Sequence, residues 1–98
     1  MPSLDDLIVQ LSGVRLNQRD RGRVANVAGH LLESALKNQW HSLADHEKKR
    51  LIIASAKRLR DSYTAKLKYF GQSTKEAAKE SIAEEIAVLK ETLNLKYG

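Results

Sequence analysis

Three histidines, His30, His41 and His46, are the side chains best suited to move a proton or hold a metal ion. Their spacing points to neither. His41 and His46 are about 140° apart around a helix, so they diverge where an i, i+4 pair would converge on one ion. His41 and Asp45 have the i, i+4 interval, but Ser42 is expected to cap a helix between them. No nucleophile or Gly-rich phosphate loop accompanies that pair, and the chain has no cysteine. Disulfides, thiolate metal sites and a cysteine nucleophile are therefore excluded. No catalytic residue, metal site or cofactor is expected.

The pattern with chemical content is cationic. On one expected helix Arg19, Arg23, Asn26, His30 and Lys37 fall within about 60° of arc, across from Val24, Ala28, Leu31 and Ala35. On the next, Arg50, Lys57, Thr64 and Lys68 share a face opposite Ile52, Leu59 and Tyr63, with Arg60 and Lys49 at its border. A straight row of cations beside small polar donors can follow a phosphate backbone, whose charge drives binding through counterion release. Any soluble amphipathic helix also carries charge on its outer face. Asp61 interrupts the second row.

Charge along the chain favours the same region. The 98 residues carry a net charge of +5. Residues 43–70 alone hold eight basic and three acidic side chains, while residues 71–98 are slightly acidic. Such a balance fits a nucleic acid or another acidic partner.

These rows need helices to align them, and the chain is composed for helices. Its hydrophobic fraction is 42% and its aromatic fraction 5%, with one proline, at position 2. Leu, Ile, Val and Ala between helices suit that mixture, and no strong helix breaker follows Pro2. Ser3 with Asp6 resembles a capping box for a short helix over 4–12, ended by Gly13. Asn17 is expected to cap a second helix over 18–38, with Val24, Val27, Ala28, Leu31, Leu32 and Ala35 on one face. Gly22, Ala25 and Gly29 form a strip of small residues on its flank, open to a close approach or to a tolerated glycine. Lys37 to His41 reads as a turn, and Ser42 with Asp45 as a further capping signal. A third helix then runs to about 70 on the stripe Ile52, Ala56, Leu59, Tyr63, Leu67 and Phe70, closed by Gly71. Ser73 with Glu76 opens a fourth helix to about 95, on Ala78, Ile82, Ile86, Leu89 and Leu93. The expected fold class is all-α: a single domain over 1–98, a small bundle of three long amphipathic helices and a short N-terminal one.

A second surface is acidic. Glu80, Glu84 and Glu91 share the outer face of the fourth helix, where they are expected either to dock on a partner or to make internal salt bridges. Trp40 is expected to pack over the bundle end, or else to serve as an exposed anchor. Tyr63 and Phe70 read as core, Tyr69 and Tyr97 as exposed. No apolar run approaches the roughly 18 residues of a membrane span. The N-terminus lacks the order of a signal peptide, so a cytoplasmic address is expected. The function these features favour is non-catalytic, sequence-independent binding of a DNA or RNA backbone, as a small subunit of a larger assembly. Arg19, Arg23, His30 and Lys37 would make contacts from the second helix, and Arg50, Lys57, Arg60 and Lys68 from the third. The alternative is a protein-interaction or self-assembling module that uses Glu80, Glu84, Glu91 and Trp40.

Overall fold

A computed structural model describes residues 2–15 and 20–97 of the chain. Five helices follow one another: α1 Leu4–Ser12, α2 Arg21–Leu36, α3 Asn38–Ser42, α4 Asp45–Tyr69 and α5 Thr74–Tyr97. No strand occurs among the described residues. The third and fourth helices expected from the sequence are thus α4 and α5.

Local chemistry sets several of the ends. The Ser3 hydroxyl accepts from the Asp6 N–H at 3.2 Å, and the Asp6 carboxylate accepts from the Ser3 N–H at 3.1 Å. That reciprocal pair satisfies two donors left free at the start of α1. Ser73 likewise accepts from the Glu76 N–H at 3.2 Å and starts α5. Gly71, at φ +61°, turns the chain out of α4 in a conformation that disfavours any Cβ.

Three expected boundaries move. Helix α2 begins at Arg21 rather than 18, with Asp20 as its cap, accepting from the Arg23 N–H at 3.2 Å. The expected cap, Asn17, lies outside the described residues. The segment expected as a turn after Lys37 is instead the helical turn α3, entered through Lys37 at φ +53°. Burial explains it, since Trp40 and Leu43 both pack on the core and a helical turn places them on the same side. Finally, Ala44 rather than Ser42 caps α4, without a side-chain capping hydrogen bond.

Four helices close around one core. Helix α1 packs on α2 and α5, α4 packs on α2 and α5, and α2 also meets α5 across the middle. Leu11, Val27, Leu32 and Leu59 are fully buried there, each contributing about 1.5–3 kcal/mol relative to exposure. Ala35, expected on the inner face of α2, is exposed, and Leu36 takes its place. Tyr63 crosses the core from α4, and its hydroxyl donates to the Val14 carbonyl at 3.0 Å and to Ser12 at 3.3 Å. Burial raises the pKa of that hydroxyl, keeping it a donor. The result is an elongated bundle of 39 × 22 × 21 Å.

Candidate nucleic-acid interface

Helix α4 has three working faces. Leu59 and Tyr63 are buried in the core, with Ile52, Ala56 and Leu67 beside them. A second flank meets α5 through polar groups. Arg58 donates from Nε to Glu85 Oε1 at 3.0 Å and from Nη2 to Oε2 at 2.9 Å, and Ser55 adds 2.7 Å. Further along, the Ser81 hydroxyl donates to Ser62 at 3.2 Å, and Lys66 pairs with Glu84. Near the start of α4, Glu47 accepts from Lys96 at 2.8 Å and from the Tyr97 hydroxyl at 2.6 Å. Those hydrogen bonds, from Lys96 first, lower the Glu47 pKa from 4.5 to about 2.

The third face looks outward and holds the expected cations. Arg50, Lys57 and Lys68 are exposed, and Arg60 is half-buried at the α2 border. From Arg50 to Lys68 the helix rises about 27 Å. None of these four makes a salt bridge among the described residues, whereas Arg23, Arg58, Lys66 and Lys96 are each held by a carboxylate. Arg50 makes only a weak electrostatic contribution at Glu47, the smallest of the causes of its shift. Asp61 is exposed and interrupts the run of positive charge.

Two arginines absent from the sequence-based site join this face. Arg21, Lys57 and Arg60 surround a groove of about 620 Å³ between α2 and α4, floored by Ala25, Ile52 and Ala56. Arg15 shares a small hollow with Arg60 and Thr64. Arg15 follows α1, next to the Val14 carbonyl that Tyr63 ties to α4, and Arg21 is the first residue of α2. The dense run of arginines from 19 to 23 was the available signal, but the partner helix was not readable from spacing.

The expected row on α2 takes a different place. Arg19 lies outside the described residues. Arg23 pairs with Asp20 at 3.1 Å and leans toward Gly13 at the end of α1. Asn26 donates to Gln10 of α1 at 2.8 Å. His30 and Lys37 line a hollow of about 480 Å³ between α1, α2 and α5, together with Lys90. The α2 row thus faces the α1 and α5 side, and the structure does not join it to the α4 row in one surface.

The acidic row on α5 is mostly occupied. Glu80 accepts from Gln72 at 2.6 Å and Glu84 holds Lys66, leaving Glu91 exposed. Trp40 is 8% exposed and belongs to the core, with the Lys48 ammonium 5.7 Å from its ring centre. It fills the bundle end and leaves little ring for an outside partner. Phe70, expected in the core, is 73% exposed, because α4 ends there beyond its neighbours.

Among the described residues, no cluster of three or more His, Asp or Glu is placed to hold a metal ion. No described helix is long and apolar enough to cross a membrane. No family model, curated protein or solved structure matches this chain.

Proposed function

We propose that this chain is a non-catalytic, sequence-independent binder of a nucleic-acid backbone, working as one small piece of a larger assembly. The outward face of α4 is the contact surface, with Arg50, Lys57, Arg60 and Lys68 as its cations and Arg15 and Arg21 beside them. One observation carries the reading: these four α4 cations have no carboxylate partner among the described residues, while Arg58 and Lys66 on the other flank of the same helix are held by Glu85 and Glu84. An unpaired cation gives up nothing internal when it meets a phosphate, and each contact releases a condensed counterion. No base-reading motif accompanies them, so backbone contact without sequence preference follows.

Fluorescence anisotropy of labelled single- and double-stranded oligonucleotides, titrated at several salt concentrations, tests this. Binding should weaken steeply with salt, and replacing Arg50, Lys57 and Lys68 together with Ala should weaken it further. That triple variant should also flatten the logarithmic salt dependence by roughly 2–3, about one contact per side chain. Unchanged affinity in the variant would remove the face from consideration. No binding at low salt would remove the function.

A further inference from the structure

We propose that Tyr69 and Phe70 form a base-stacking platform at the C-terminal end of α4, next to the last cation of its outer face, so that the protein prefers single-stranded nucleic acid to duplex. The proposal rests on the backbone-binding reading above and names its substrate more narrowly.

Tyr69, the last residue of α4, and Phe70, which caps it, are each 73% exposed. Phe70 continues the apolar stripe of that helix but lies where no neighbouring helix covers it, and Gly71 then reverses the chain at φ +61°. Isolated exposed apolar side chains are ordinary, and Leu4, Val9 and Leu95 are aliphatic examples here. The aromatic pair differs in chemistry and in position. The Lys68 ammonium, the last cation of the row, sits 5.5 Å from the centre of the Tyr69 ring. A phosphate held by Lys68 would therefore bring its own nucleotide beside that ring.

Cations that follow a backbone, ending in aromatic rings that accept bases, are the two ingredients of single-strand binding. Every base has a π-face, so such a platform adds affinity without adding sequence preference. In a duplex the bases are already stacked on one another, and the rings gain nothing unless the helix opens. The platform therefore separates single strand from duplex, while the cations serve both.

Two single strands of equal length and charge, about 12 nucleotides each, isolate the platform: labelled oligothymidylate and the corresponding abasic strand. A duplex of the same length, which carries twice the phosphates, is the third probe. The wild-type protein should bind oligothymidylate more tightly than the abasic strand. The double variant Tyr69→Ala/Phe70→Ala, which removes only exposed groups, should lose roughly five-fold or more on oligothymidylate. Its affinity for the abasic strand and its salt dependence should stay at the wild-type values. Phe70→Trp should retain oligothymidylate binding and show quenched emission on the complex. Equal affinity of the wild-type protein for the two strands, with no loss in the alanine variant, would overturn the platform and leave backbone binding standing. An equal loss on both strands would overturn it too. Failure of all three probes to bind would overturn both readings.

Discussion

The Arg58 guanidinium makes a two-point contact with the Glu85 carboxylate across the α4–α5 seam, at 2.9 and 3.0 Å. Glu85 is only 3% exposed, while the Arg58 side chain keeps 42% of its surface. The two partners are therefore not equivalent. Removing Arg58 leaves a buried carboxylate with the Ser55 hydroxyl as its remaining side-chain partner, whereas removing Glu85 leaves an arginine that already reaches water. Arg58→Ala should cost about 3 kcal/mol, the low end for stranding a buried charge, and Glu85→Leu should stay within about 1 kcal/mol of wild type. Urea denaturation of the two variants measures the ranking, and the reverse order would mean the seam depends on Glu85 for more than charge pairing.

The clamp at the other end of that seam is pH-sensitive. Hydrogen bonds from Lys96 and Tyr97 hold the Glu47 pKa at about 2, below its ordinary 4.5. A folded-state pKa below the unfolded one adds stability that is fully present above the unfolded value and disappears as pH falls through the folded one. The clamp should thus hold above pH 4.5 and loosen between there and about 2. Lys96 and Tyr97 are shifted upward, chiefly by Glu47, so their contribution is present at neutral pH and lost as pH rises through their folded values. Glu47→Gln should flatten the acid limb of thermal stability measured by circular dichroism. A variant with the wild-type acid limb would show that the α5 end is held by packing alone.

Legibility in the sequence followed how local each cause was. The Ser3–Asp6 box, the Ser73 cap on the Glu76 N–H and the Gly71 stop are decided within a few residues, and all were readable from spacing. Helix α3 was not, because Lys37 adopts its φ of +53° as Trp40 and Leu43 turn into a core made by distant helices. Glu85 belongs neither to the acidic row nor to the apolar stripe read from the sequence. Its neighbour Glu84 does point outward, but one residue further is about 100° around the helix, which carries Glu85 into the seam. Phe70 keeps the apolar rhythm past the point where α4 has company. The α4 cation face was readable because an outer face follows from the apolar stripe alone. Whether α2 shared it depended on which flank α1 covers, and Asn26 with Gln10 shows that α1 covers the one carrying the α2 row.

Two glycines should respond in opposite directions to the same change. A Cβ added at Gly29, inside α2, would lie 3.9 Å from Ile52 Cδ1, an ordinary contact. Gly29→Ala should stabilise the fold by up to about 1 kcal/mol through helix propensity. The small-residue strip on α2 therefore has room for a methyl group and imposes no close helix approach at that point. Gly71→Ala, at φ +61°, should destabilise it by about 1 kcal/mol. Thermal melts of both variants would decide this, and a destabilised Gly29→Ala would mean α2 and α4 cannot yield even slightly.

The proposed interface on α4 predicts which cations matter. Lys57 is exposed on α4 with no carboxylate partner among the described residues, and Arg21 shares its groove. Arg23 is two residues from Arg21 in sequence but is paired to Asp20 on the α1 side. Charge deletion alone would treat the three alike, since each removes one positive charge from a +5 chain. A located contact surface does not. Lys57→Ala and Arg21→Ala should each reduce the logarithmic salt dependence of binding by about 0.9 on duplex or about 0.7 on single strand. Arg23→Ala should leave that slope unchanged, because the counterions released on binding come from phosphates that Arg23 does not reach. Anisotropy titrations at four or more salt concentrations resolve such a difference, and an Arg23 slope change equal to that of Lys57 would move the interface to the α1–α2 side of the bundle.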